Sequence, residues 1–348
     1  MKDKLITYSF VIFIFIFMIL GIFIKDKEVS TLERRKLTTS VGELDSYLVD
    51  QFPFRDNLIN TKSIFLNKVY LNKINHNVVD YNNNLFEIDS KVNEKSVKHL
   101  INKISTINKL YNIKNAYFIM IPDKNYYVDN YIPKMDYNYM EDLIKSNLDS
   151  NISYIDILDT LSLDSYYLTD IHFKQDKLDN LVYRIKDNLN LKEVSFTYTK
   201  YEYSPFYGSL YSKGSNKSIS DKITILYDEG VISSSVYNYE LDKYTTIYDK
   251  NNFKNIDKYD IFLDGASGLI NISNNSIANG RELVMFRDSF SSTLAPLLIK
   301  YYKKITLIDL RYISSMNLKN NVDININSNT DVLFIYSIPV INNSFSIK

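Results

Sequence analysis

A chain with no cysteine has few routes to nucleophilic chemistry, and here they converge on two short segments. Three histidines are present: His76, His99 and His172. Imidazole is the side chain best matched to general acid–base work near neutral pH, so a mechanism that needs one must use one of these. His99 stands among Lys and Asn in a stretch with helical spacing, where a solvated surface role suffices. His76 lies in an Asn-rich loop with no carboxylate close in sequence. His172 is different, because it sits in Thr169-Asp170-Ile171-His172-Phe173. Two positions apart in an extended segment, Asp170 and His172 point to the same side. The carboxylate can then fix the imidazole tautomer and stabilise its protonated form, as the Asp of a triad does. The plainer reading is a helix N-cap beside an incidental His, since a helical stretch begins near Lys174.

The second segment is Leu283-Val284-Met285-Phe286-Arg287-Asp288-Ser289-Phe290-Ser291-Ser292. It reads as a buried strand whose end delivers Ser289 into the turn before a helix over 292–304. Open α/β sheets place their sites there, outside the carboxyl ends of strands. Backbone N–H groups at the start of the following helix can stabilise an oxyanion. The plainer reading makes Ser289, Ser291 and Ser292 helix-capping residues only. No Gly-x-Ser-x-Gly elbow occurs, which argues against an ordinary α/β-hydrolase.

The elements that must position these residues are legible as apolar runs. Ala116 to Ile121 is continuous and ends at Pro122, the pattern of a strand buried on both faces. Similar runs occur at Ile152 to Leu158, Leu283 to Phe286, Ile305 to Leu310 and Val332 to Ile338. Helical stretches over 92–111, 175–189 and 292–304 alternate with them, which predicts an α/β fold: a flavodoxin-like parallel sheet with helices on both faces. Val78 to Phe86 reads as a hairpin around an Asn-rich turn. From about 192 to 280 the chain has short β-like pieces (Val194 to Tyr198, Ile223 to Tyr227, Tyr244 to Tyr248) and little helical periodicity, so we expect a β-rich insertion there. The expected organisation is an anchor over 1–27, a stem over 28–75 and an α/β domain over 76–348.

The anchor is the plainest feature. Residues 5–24 are uncharged and apolar, and a helix of that length spans roughly 30 Å, the thickness of the hydrocarbon core. Ile24-Lys25-Asp26-Lys27 offers no small-x-small cleavage site, so an uncleaved signal anchor is expected rather than a removed signal peptide. Positive charge flanks both sides, and the positive-inside rule does not settle which way the helix points. Across the 348 residues, 41 Lys and Arg balance 41 Asp and Glu, which leaves no basic footprint for nucleic acid. The absence of cysteine excludes disulfides, thiolate metal sites and a cysteine nucleophile. Thirty tyrosines could furnish aromatic platforms for sugars, but a bias toward Asn, Lys, Ile and Tyr codons explains the count equally well.

Taken together, Asp170-x-His172-Phe173 resembles the Asp-His-His-Trp motif that names the DHHW family. Arg287-Asp288-Ser289-Phe290 is similar to that family's serine motif, kin to the Gly-Asp-Ser of SGNH hydrolases and to alginate O-acetyltransferase-like proteins. Further blocks agree in order: Glu33-Arg34-Arg35-Lys36-Leu37, Asp50-Gln51-Phe52-Pro53-Phe54-Arg55-Asp56, Asn84-Leu85-Phe86, Pro122-Asp123-Lys124, Phe206-Tyr207-Gly208-Ser209-Leu210 and Asp309-Leu310-Arg311-Tyr312. Ile171 and Phe173 replace a His and the Trp of the name motif. Phe262-Leu263-Asp264-Gly265-Ala266-Ser267 stands where relatives tend to carry Gly-Gly-Asn. The resemblance implies an SGNH-like domain outside the cell membrane that adds or removes O-acetyl groups on a cell-envelope polysaccharide. In that scheme Ser289 is the nucleophile, His172 its base and Asp170 the orienting acid. The Ser289 and Gly208 N–H groups would hold the oxyanion, and Arg311 would contact substrate or acyl oxygen, unless it forms a surface ion pair. Neither metal nor organic cofactor is required, and a membrane-embedded acyl donor protein is the implied partner. The alternatives are a non-catalytic polysaccharide-binding or assembly component, and a secreted esterase, which would have no evident need of an anchor.

Overall fold

The site depends on how one sheet is ordered. We describe the protein from a computed structural model. It describes all residues except 1, 31–34, 69–73, 76, 129–131, 215–216, 322–323 and 325. His76 and the Glu33-Arg34 pair therefore lie outside the described residues. Two units form, one from Met1–Leu85 with Ser209–Ile219, the other from Phe86–Gly208 with Ser220–Lys348.

The larger unit is built on eight strands: β1 (Ala116–Ile121), β2 (Ile152–Tyr154), β3 (Ser234–Asn238), β4 (Lys243–Thr245), β5 (Leu269–Asn274), β6 (Glu282–Arg287), β7 (Lys304–Ile308) and β8 (Thr330–Ser337). Their order across the sheet is β4-β3-β5-β7-β6-β8-β1-β2. From β7 to β2 neighbouring strands run parallel. At the other edge β5, β3 and β4 pair antiparallel.

The continuous apolar runs are explained by two cores, one on each face. Ile119, Leu283, Met285, Leu307 and Leu333 belong to one, together with the inner sides of helices Asp179–Asn188 and Ser291–Leu298. Their alternates Phe118, Val284, Phe286, Ile308 and Phe334 belong to the other, under helices Glu94–Leu110 and Tyr137–Lys145. A strand with period-two side chains can be apolar throughout only if both faces are covered. Phe286 and Phe334 stack at 4.9 Å across β6 and β8. Truncating either to Ala would cost about 3–5 kcal/mol.

Some boundaries differ from expectation. Val194 to Tyr198 is not a strand; the strand begins at Thr199, runs to Phe206 and pairs antiparallel with Asp221–Tyr227. The rest of the 192–280 segment supplies β3, β4 and β5, so it extends the central sheet as well as forming this ribbon. The helix expected over 292–304 is α-helical at Ser291–Leu298 and closes with a 3₁₀ turn at Ile299–Tyr301. The hairpin is present at Val78–Tyr81 and Asn84–Glu87. Its Asn82 and Asn83 have φ of 50° and 58°, the two left-handed residues of a type I′ turn.

In the smaller unit the first helix is Lys2–Phe23. Its stretch Lys4–Phe23 is long and apolar enough to cross a membrane, and none of its residues is buried in the protein. Helices Leu44–Asp50 and Arg55–Lys68 follow.

Candidate active site

Ser289 lies two residues past the end of β6, a strand held between β7 and β8 in the parallel part of the sheet. The turn that carries it is pinned from below by Asp288, which is fully buried. Asp288 Oδ1 accepts from the Phe290 N–H at 3.1 Å, and Oδ2 accepts from the Ser337 N–H and hydroxyl, both at 2.6 Å. One carboxylate thus ties the turn to the end of β8. A buried charge persists only when hydrogen-bonded in this way. Arg287, also buried, donates to Asp288 O and Ser292 Oγ at 3.3 Å and to Ser267 O at 3.5 Å. Burial pulls its guanidinium below the ordinary value, while the charges of Asp309 and Asp288 oppose that shift.

Asp170 and His172 meet through a local turn, not through an extended strand as expected. Asp170 Oδ1 accepts from the His172 backbone N–H at 2.9 Å, the signature of an Asx-turn, and from the ring Nδ1 at 2.6 Å. That second contact assigns the ring proton to Nδ1. Nε2 is then an acceptor, and it lies 2.8 Å from Ser289 Oγ. The ring is held flat against Tyr259 (centroids 4.0 Å, planes 14° apart) and tilted on Phe290 at 4.7 Å. Exposure rises along the line: Asp170 is 1% exposed, His172 9%, and Ser289 is half-buried at the surface end. Three side chains from positions 117 and 119 residues apart therefore form one hydrogen-bonded relay ending at a reachable hydroxyl.

No family model and no curated protein matches the chain. Solved structures do. A DHHW family protein from Eubacterium siraeum superposes with a TM-score of 0.61 at 19% identity, over 78% of this chain and 93% of that one. The fold is that of a DHHW family protein. Bacillus cereus PatB1 is similar too: its structure with a sulfonyl adduct gives a TM-score of 0.59 at 16% identity over 76% of this chain and 97% of that one. A further PatB1 structure gives 0.57 at 18% identity, over 76% and 96%.

Within this DHHW-type fold the role implied for Gly208 needs correction, and Arg311 has a partner of its own. Gly208 N–H is not available to an oxyanion, because it donates to Thr169 Oγ1 at 2.9 Å. Gly208 matters for its missing side chain instead: a Cβ there would fall 2.2 Å from Asp170 Cβ and 2.5 Å from Thr169 O. Arg311 turns back on its own strand end. Its Nε and Nη2 donate to Asp309 Oδ1 and Oδ2 at 2.9 and 2.7 Å, and this pairing holds the guanidinium above its ordinary range. The ion pair of the alternative reading is therefore formed, and among the described residues no hydrogen bond joins Arg311 to Ser289, His172 or Asp170. In the block where relatives carry Gly-Gly-Asn, the Ser267 hydroxyl is buried and donates to Asn238 Oδ1 at 3.1 Å. For the oxyanion this leaves the Ser289 N–H, to which no acceptor is assigned among the described residues.

Sequence reasoning overlooked the supports. Asp221 accepts from the N–H groups of Leu168 and Thr169 at 2.8 Å and from the Thr169 hydroxyl at 2.6 Å. Lys124, fully buried, donates to the carbonyls of Tyr167 and Leu168 at 2.8 and 3.1 Å. Burial pushes its ammonium down to about 7, against the opposing charges of Asp170 and Asp221. The Pro122-Asp123-Lys124 block was a usable signal for Lys124; a lone Asp221 at the start of a strand was not. Among the described residues no cluster of three or more His, Asp or Glu is placed to hold a metal ion.

Proposed function

We propose that this is a membrane-anchored serine-dependent O-acyl transferase or esterase, with its α/β domain on the extracytoplasmic side, acting on acetyl groups of a cell-envelope polysaccharide. The observation that carries the reading is the relay from Asp170 through His172 Nδ1 and Nε2 to Ser289 Oγ, at 2.6 and 2.8 Å. As Ser289 Oγ forms a bond to the acyl carbon, its proton passes to Nε2, and Asp170 stabilises the resulting imidazolium. The oxyanion would be met by the Ser289 N–H. Collapse expels the donor's leaving oxygen, which takes the proton from Nε2 and leaves an acyl-Ser289 ester. A sugar hydroxyl, or water, then gives its proton to Nε2 and attacks that ester; as the acyl–Oγ bond breaks, Nε2 returns the proton to Ser289 Oγ. No cofactor enters. The adduct in PatB1 fits this reading, because a sulfonyl group is attached when a nucleophile displaces a leaving group from sulfur. A membrane-embedded protein delivering the acyl group is the partner such a chain would need.

One specific feature favours a second reading, a polysaccharide-binding component that does no chemistry. With Gly208 N–H engaged and Ser267 turned to Asn238, the Ser289 N–H is the one oxyanion donor identified among the described residues. Removing one such donor elsewhere costs about 10²–10³ in kcat. Hydrolysis of a chromogenic acetyl ester, measured with and without a soluble glucan or chitooligosaccharide acceptor, separates the two. The catalytic reading expects turnover that Ser289→Ala abolishes. Equal, background rates from both folded proteins would leave the binding reading.

A further inference from the structure

The stem carries an unusual surface. Between Val41 and Phe54 it exposes Val41, Leu44, Leu48, Val49, Phe52 and Phe54; Val49 is 62% exposed, Leu48 57% and Phe52 41%. Soluble proteins rarely leave such a run of large apolar side chains uncovered. Two of the segment's polar groups, Asp50 and Gln51, are tied to neighbouring residues. Arg35 pairs with Asp50, whose carboxyl is thereby held well below the usual range. Gln51 bonds Lys27 N and O and Thr38 O, and Lys27 pairs with Asp56. What remains outward is Glu43, Asp45 and Ser46 beside these six apolar side chains.

This surface is continuous with the membrane-crossing helix. Phe52 stacks on Phe17 at 5.2 Å with planes 14° apart, and a Cβ at Gly21 would meet Pro53 at 3.8 Å. Between the helix and the stem lies a cavity of about 930 Å³, apolar at its Phe13 and Ile14 end and polar at its Lys25 and Asp26 end. Phe17 is six residues from the helix end at Phe23, about 9 Å along the axis. Interfacial helices bury their apolar faces about 5–10 Å below the headgroup boundary, the same depth.

We propose that Val41–Phe54 is a second membrane-contacting element, seated in the outer part of the bilayer beside the anchor, with a lipid acyl chain in the groove between them. The occupant is lipid and not protein because the groove opens on helix residues that already face hydrocarbon, and because its polarity runs from apolar to charged along the axis as a lipid's does. The inference rests on the anchor reading and not on the acyl-transfer chemistry. The segment thus holds the stem close to the membrane surface, where a lipid-side acyl donor would be met.

The chain has neither Trp nor Cys, so single probes carry no background. Full-length Phe52→Trp and Leu48→Trp variants in phosphatidylcholine/phosphatidylglycerol vesicles should show blue-shifted emission. Lipids brominated near the headgroup end of the acyl chain should quench it at least twofold. Phe10→Trp, in the helix itself, serves as the positive control. If Phe10→Trp is quenched while Phe52→Trp and Leu48→Trp emit as in water and ignore bromine, the proposal is overturned. Failure of Phe10→Trp as well would sink the anchor reading beneath it. Rapid disulfide formation by Leu48→Cys without bromine quenching would mean that a second copy covers the segment, which also overturns the proposal.

Discussion

Gly208→Ala isolates the contact on which the relay's geometry depends. The added carbon would sit 2.2 Å from Asp170 Cβ, 2.5 Å from Thr169 O and 2.6 Å from Asp170 Cα. Ordinary carbon contacts begin near 3.5 Å, so the two segments must part by roughly 1 Å. The obstruction is backbone and Cβ, not a side-chain tip that could swing aside. Asp221 holds residues 168–169 through three hydrogen bonds and Lys124 holds the two carbonyls before them, so movement there breaks other bonds. Overpacking of this kind costs about 1–3 kcal/mol of stability, and a 1 Å misplacement at a catalytic group costs about 10²-fold in rate. We expect the variant to remain folded by circular dichroism, with kcat for an acetyl ester reduced about 10²-fold and KM little changed. Activity within threefold of the parent at unchanged Tm would refute the reasoning, for the glycine would then not be positioning Asp170.

Other expectations follow from the same contacts. Asp170→Asn keeps the shape but can present an N–H to Nδ1, which favours the wrong tautomer; kcat should fall by about 10⁴, read in the same assay. Lys124 is pushed down to about 7 by burial, whereas an unfolded chain keeps that proton to about 10.4. Between those values the unfolded state binds more protons, so this group makes stability rise with pH by at most about 1.4 kcal/mol per unit. Urea melts at pH 7.5 and 9 should show the wild type gaining on Lys124→Met as pH rises, and a pH-independent difference would contradict the assignment. Tyr239→Cys, exposed and the only thiol in the chain, should react in intact cells with a membrane-impermeant maleimide; protection until lysis would place the domain inside.

What could be read in the sequence was whatever a short run of residues specifies by itself. Strands such as Ala116–Ile121 announced themselves because both faces are buried, and the Asn82-Asn83 turn because few other residues tolerate its backbone. The trio Asp170, His172 and Ser289 was legible as two motifs, and the structure joins them across 117 residues. Their local geometry was not: an Asx-turn and an extended pair have the same sequence spacing. The antiparallel edge of β3 to β5 was also hidden, since Ser234–Asn238 has little of the apolar continuity of the parallel strands. Gly208 was picked out by resemblance for its N–H, but that donor faces Thr169, and only three-dimensional proximity reveals that its lack of a Cβ is what counts. Asp288, Lys124 and Asp221 act by pinning backbone far away in sequence, a role that composition and periodicity do not encode.

The most direct test asks whether Ser289 is chemically activated by the couple beside it. Incubation of the full-length protein with an aryl sulfonyl fluoride, followed by intact mass and peptide mapping, should find one sulfonyl group, on Ser289. Ser289→Ala should take up none, and His172→Ala should label far more slowly than the parent. A folded wild type that stays unmodified, or labelling that persists unchanged in Ser289→Ala, would contradict the account.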